Sequence, residues 1–149
     1  MATDAKIGWG GQFFLGTGVL AATQKLAEVK SFTLPTPEVD QVEVTHMDSP
    51  NRRREFISGM IEDGEIEVVM NYVPGSATDI LIRGALAAGT VRVWKATVPR
   101  STTNWEVSNA VGSGVIVIGY ERGEVSVDSA MEATLMLRIT GDTVEAAAI

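Results

Sequence analysis

The single histidine of the 149-residue sequence, His46, stands two residues before Asp48. In an extended segment both side chains point to one face, the spacing of a His–Asp dyad that a serine could complete. No nucleophile-elbow pattern and no oxyanion-type glycine motif lies nearby, so the competing reading is a histidine that pairs locally at a strand end. Glu65 and Glu67 repeat the two-residue spacing. Such carboxylates can do acid–base work or hold a hard cation, or they can be the solvated face of a strand. Arg52, Arg53 and Arg54 form the one cation cluster. Three arginines can grip phosphate, but no aromatics interleave them and Glu55 follows at once. Carboxylates on a neighbouring copy of the chain fit them better than nucleic acid does. These residues compose no catalytic site, and no metal or cofactor is expected.

The composition narrows the chemistry further. The chain has no cysteine, which excludes disulfides, thiolate zinc sites, iron–sulfur clusters and a cysteine nucleophile. One histidine excludes a two-histidine metal motif. The net charge is −7, against the basic face of a nucleic-acid binder. The excess is uneven: residues 1–59 hold 6 cations and 7 anions, residues 60–149 hold 6 cations and 12 anions. No apolar run approaches the roughly 20 residues of a membrane-spanning helix. The Gly-rich start lacks the charge pattern of a cleaved leader, and none is expected.

The elements that must position these residues are mostly strands. Residues 1–24 interleave glycines with Trp9, Phe13 and Phe14, and read as a flexible arm that docks on something, or as an edge strand of its own domain. A single domain is expected over 25–142, with a short fraying tail at 143–149. Val39–Asp48 alternates, with Val42 and Val44 on one face and Gln41, Glu43 and Thr45 on the other, as in a half-buried strand. Glu65–Tyr72 alternates likewise, Ile66 and Val68 opposing Glu65 and Glu67. Ser76–Ala88 predicts the one helix, capped by Ser76 with Asp79 three residues on and stopped by Gly89. Its polar stripe of Ser76, Asp79 and Arg83 is thin, so it wants cover on more than one side. Val115–Ile118 reads as buried on both faces, Glu121–Glu124 as a turn, and Glu124–Asp128 and Met131–Thr140 as strands. The fold class is mainly β, a sandwich or barrel flanked by one α-helix.

The order of these segments resembles a known family. Glu28–Pro35, then Val42-Glu43-Val44-Thr45-His46-Met47-Asp48-Ser49, Arg54-Glu55-Phe56-Ile57-Ser58-Gly59, Asp63-Gly64-Glu65 and Asn71-Tyr72-Val73-Pro74-Gly75 resemble successive motifs of the tail tube (major tail) proteins of long-tailed, non-contractile phages and related gene transfer agents. Asp128, Met131, Glu132, Ala133 and Ile139-Thr140-Gly141 continue the match, which spans about residues 26–142.

The resemblance implies hexameric rings stacked into a hollow tube. Each subunit contributes strands to a continuous inner β-barrel. The tube encloses a tape-measure protein and then conducts DNA, which it does not bind specifically. Tail terminator and baseplate or distal tail proteins are the implied partners at its ends. The location is the virion tail, the site of synthesis the host cytoplasm. A C-terminal immunoglobulin-like decoration is not expected. On this frame Glu43, Glu65 and Glu67 are expected to line the lumen, where carboxylates repel phosphates and let DNA slide. Trp9, Phe13, Phe14, Arg52, Arg53 and Arg54 are expected to make contacts between subunits or rings. Another ring or tube component on the same fold, such as a secretion-system tube or tail terminator, and a small hydrolase using His46 are the alternatives.

Overall fold

The computed structural model describes residues 7–17 and 23–147, so parts of the expected arm (1–6 and 18–22) and the last residues of the expected tail (148–149) lie outside the described residues. In chain order the elements are β1 (Gln12–Gly16), β2 (Thr23–Lys25), β3 (Val29–Phe32), β4 (Glu38–Glu43), β5 (Phe56–Glu62), β6 (Glu65–Asn71), α1 (Ala77–Ala88), β7 (Trp94–Val98), β8 (Trp105–Asn109), β9 (Gly114–Arg122), β10 (Glu132–Thr140) and β11 (Thr143–Ala147). They form a five-stranded sheet in the order β11-β8-β7-β1-β2, a four-stranded sheet in the order β3-β6-β10-β9, and a two-stranded ribbon of β4 and β5. All pairings are antiparallel. The fold is the mainly β sandwich with one helix that the sequence predicts; the sheets close no barrel within the subunit.

The two larger sheets share one core. Phe13, Leu15, Trp94, Ala96 and Val107 come from the five-stranded sheet, and Ile66, Val68, Met70, Val115, Leu135 and Leu137 from the four-stranded one. The alternation read in Glu65–Tyr72 is what builds this. Ile66 and Val68 are fully buried while Glu65 and Glu67 are exposed on the opposite face. Phe13 sits at the centre, stacked on Trp94 at 5.9 Å and tilted against Phe32 at 5.7 Å.

Helix α1 starts and stops as its sequence dictates. The Ser76 hydroxyl accepts the Asp79 amide at 3.2 Å, and Gly89 closes the helix at φ 64°, a left-handed conformation that glycine adopts without a Cβ penalty. Its orientation corrects the expected polar stripe. Asp79 faces inward and is buried with Ile82 and Ala85, whereas Ile80 and Leu86 face outward. The reason is local satisfaction: the Asp79 carboxylate accepts the Gly75 amide at 3.1 Å and the Tyr120 hydroxyl at 3.1 Å, and meets Arg83 Nε at 3.2 Å. A buried carboxylate so partnered costs little to desolvate.

Several boundaries differ from the sequence reading. Residues 12–16 are a central strand, not a free arm, because Phe13 and Leu15 fill the core. Residues 143–147 pair with β8 in place of fraying. Strand β9 runs through Glu121 and Arg122, where a turn was expected, and its outward Ile118 is exposed, so it is not buried on both faces. Glu124–Asp128 is loop: the Gly123 amide bonds Glu132 O and closes the loop at its base, which leaves Val125 and Val127 in solvent.

Candidate assembly surfaces

The residues around His46 lie at the tip of the ribbon, and their wiring is not that of a triad. Ser49 Oγ donates to Glu55 Oε2 at 2.7 Å, and His46 Nε2 lies 3.3 Å from the same oxygen. His46 Nδ1 accepts the Asp48 amide at 3.2 Å, so the network places the neutral ring's proton on Nε2, toward Glu55. Serine and histidine both point at one carboxylate, and neither activates the other. Asp48 does not pair with the imidazole through its side chain. The cluster pins the tip: Ser49 Oγ accepts the His46 amide, and Thr45 Oγ1 accepts the Glu55 amide. Among the described residues no group of three or more His, Cys, Asp or Glu is placed to hold a metal ion.

Arg52, Arg53 and Arg54 stand exposed at this tip, and none of the ion pairs among the described residues involves them. The backbone beside them is strained: Asn51 and Arg52 have φ of 53° and 56°, the left-handed region that side chains disfavour.

The ribbon carries the largest departure from the sequence reading. Its alternation is real, but Val42 and Val44 are about half exposed, because no second sheet lies under the ribbon. Register sorts its side chains. Val42 pairs with Ile57 and Val39 with Ile61, but β5 spends one residue more than β4 between the two pairs, so Val39 and Ile61 lie on the face opposite Val42 and Ile57. Val42, Val44 and Ile57 share one face with Glu38 and Glu62, and Val39, Glu43, Phe56 and Ile61 share the other.

The Val42 face, which carries Glu62, runs on into the wet face of the four-stranded sheet. The connection is Asp63-Gly64, with Gly64 at φ 80°, and Arg138 reaches across it to both Glu62 and Glu65. Glu62, Glu65 and Glu67 thus share one continuous face, whereas Glu43, which was expected with Glu65 and Glu67, pairs with Phe56 on the ribbon's other face. The Glu65 face is less acidic than alternation alone suggests, since Arg138 meets Glu65 and Lys30 meets Glu132. On β6 and β10 the register sets Glu67 beside Met136 and Val69 beside Thr134, a weakly polar band between the ion-paired ends.

The three N-terminal aromatics have separate fates. Phe13 is fully buried in its own subunit, which corrects its expected role as a contact between subunits. Phe14 is half-buried, with Lys95 Nζ 4.4 Å from its ring centre. Trp9 is 85% exposed and walls an open groove of about 750 Å³, together with Ile7, Phe32, Leu34, Val98 and Pro99.

Tyr120 anchors the other end of the sandwich. Burial, and then the Asp79 carboxylate beside it, pushes its hydroxyl up to about 12. Burial also acts to raise the pKa of Asp79, but the Gly75 amide, the Tyr120 hydroxyl and Arg83 outweigh it and hold the carboxyl below its usual range. Arg122 lies over the Tyr72 and Tyr120 rings.

A family model for the lambda phage tail tube protein matches residues 14–146. The chain belongs to the lambda phage tail tube protein family. It is a tail tube protein, a component of a virion tail. No curated protein sequence matches it. Among solved structures, the virion of a native gene transfer agent particle contains a chain of the same fold, with TM-score 0.73 and 16% identity, covering 96% of this chain and 100% of that one. The SPP1 tail tube gives TM-score 0.68 at 14% identity over 96% of this chain and 80% of that one. A chain of the anti-feeding prophage baseplate gives TM-score 0.68 at 15% identity, covering 99% and 98%. For a tail tube protein the functional site is its set of contact surfaces. Sequence reasoning singled out the tip arginines and the β6 carboxylates, and both sets stand exposed. It gave no sign of the ribbon's uncovered apolar side chains or of the groove, which depend on how far the second sheet extends.

Proposed function

We propose that the four-stranded sheet forms the inner wall of the tail tube, six copies per ring as in the six-fold gene transfer agent tail. The observation that carries this is the exposed face of Glu65 and Glu67, set directly behind the buried Ile66, Val68 and Met70 of the same strand. A wall between a dry core and a wet bore needs that division. The sheet's edge strands, β3 and β9, give each copy two ladders to extend into its neighbours.

In this reading stacked rings enclose a tape-measure protein and later pass DNA, and the fixed carboxylates keep phosphates from adhering. Arg52, Arg53 and Arg54 meet carboxylates on a neighbouring copy, where a guanidinium can pair bidentately. Tail terminator and baseplate or distal proteins cap the stack, and assembly draws on chains made in the host cytoplasm. The protein carries out no reaction; the wiring of His46, Ser49 and Glu55 supports this.

The test is to assemble the recombinant chain and image it in negative stain. Tubes with a central bore are expected. A monomer at every concentration would argue against the reading.

A further inference from the structure

The tip of the ribbon is held by bonds that depend on where one proton sits. His46 Nδ1 accepts the Asp48 amide at 3.2 Å, and His46 Nε2 lies 3.3 Å from Glu55 Oε2. A ring nitrogen accepts only while it carries no proton. The imidazolium donates at both nitrogens, so on protonation Nδ1–H and the Asp48 N–H become two donors aimed at each other. The contact with Glu55 does not suffer in this way. It gains charge on the donor side, and charge-assisted bonds are the stronger ones. The ring therefore stays at Glu55, and the bond that has to go is the one to the Asp48 amide.

That bond helps close a short turn. The Ser49 amide donates to His46 O at 3.1 Å, the His46 amide donates to Ser49 Oγ at 3.0 Å, and Ser49 Oγ donates in turn to Glu55. The turn leads straight into Pro50, Asn51 and Arg52, the last two at positive φ. Strained backbone of this kind persists only where its surroundings over-determine it. Two carboxylates belong to this corner: Glu55, which meets the ring across the ribbon, and Asp48, which stands in the turn and makes no ion pair with the ring. The nearby cations are the exposed Arg52, Arg53 and Arg54.

We infer that His46 is a proton-operated latch on the arginine loop. With a neutral ring the turn is closed, and Asn51 and Arg52 are held at positive φ. With a charged ring the Asp48 amide is released and the Asp48 carboxylate takes its place at Nδ1. The strained pair then relaxes, which resets the direction of Arg52, Arg53 and Arg54. Histidine is the ordinary side chain whose charge changes between about pH 5 and 8, which sets the range in which the latch works. The device is complete within one subunit and does not depend on the tube reading.

The test is NMR of the unassembled chain between about pH 8 and about pH 5. At the upper end the imidazole nitrogens should show the Nε2–H tautomer, with a scalar coupling from the Asp48 amide nitrogen to Nδ1 across the hydrogen bond. On acidification that coupling should be lost with the same midpoint as the ring titration. The strong intraresidue amide–Hα cross-peaks that positive φ gives Asn51 and Arg52 should weaken with it. His46→Asn separates this from titration of Glu55 or Asp48. Its side-chain oxygen can accept the Asp48 amide, as in an Asx-turn, and has no proton to gain in this range. That variant should keep the closed-turn cross-peaks throughout. A parent chain whose ring titrates while the Asn51 and Arg52 cross-peaks stay strong would overturn the latch. So would a His46→Asn chain that shows the parent's change on acidification.

Discussion

β5 and β6 are nearly one strand, interrupted at Asp63-Gly64, yet they live in different surroundings. In β6 the alternate residues Ile66, Val68 and Met70 are sealed under the five-stranded sheet; in β5 Phe56 and Ile61, on the corresponding face, are more than half exposed. The sequence pattern of the two is similar, so pattern alone does not decide burial. What decides it is whether a second layer reaches that far, and in this subunit the second layer ends where the ribbon begins.

Breaking the sealed half should cost the most. Leu135→Ala, at a fully buried site of β10, is expected to lose about 2–5 kcal/mol of subunit stability, measured by urea unfolding. Asp79→Asn comes next. It weakens the charge-assisted bonds that tie α1 to Tyr120 and should cost about 1–3 kcal/mol. Its effect also has a pH signature. Because the folded-state pKa of Asp79 is lowered from 3.8, its contribution is complete above that value and is lost as pH falls through the folded value. The difference between parent and Asp79→Asn should therefore hold from neutral pH down to the ordinary carboxylate value and shrink as pH falls further.

The uncovered half should respond in the opposite way. Ile57→Ala should leave subunit stability within about 0.5 kcal/mol of the parent but abolish or sharply reduce tube formation, scored by sedimentation and electron microscopy. A Leu135-like loss of stability at Ile57 would mean the ribbon is covered inside the subunit after all. Replacing Arg52, Arg53 and Arg54 together by Ala should change subunit stability least, again by no more than about 0.5 kcal/mol, while lowering tube yield. Tubes of normal length and number from that variant would count against the arginine contacts.

Much of the fold was legible because local rules coincided with tertiary demand. The Ser76 cap, the Gly89 stop and the β6 alternation each have one physical solution, and the structure adopts it. The misreadings share a cause. Phe13 among glycines looked like a docking arm, since glycine content reports chain entropy and not the presence of a partner strand. Glu124–Asp128 alternates with no sheet beside it to pair with. Asp79 looked like a surface residue because its buried partners, the Tyr120 hydroxyl and the Gly75 amide, are set by tertiary packing and the cap. At the assembly surfaces, the carboxylate face could be read from period two alone. The groove could not, because its walls come from residues 7–11, β3 and the end of β7, which only the fold brings together.

The central claim is that the face bearing Glu65 and Glu67 is the wall of the bore. A helical reconstruction of the assembled tube, at a resolution that traces β6, tests it directly. The account predicts those two carboxylates on the inner surface, with the five-stranded sheet outside. A tube whose five-stranded sheet lines the bore, with Glu65 and Glu67 on the outer wall, would contradict it.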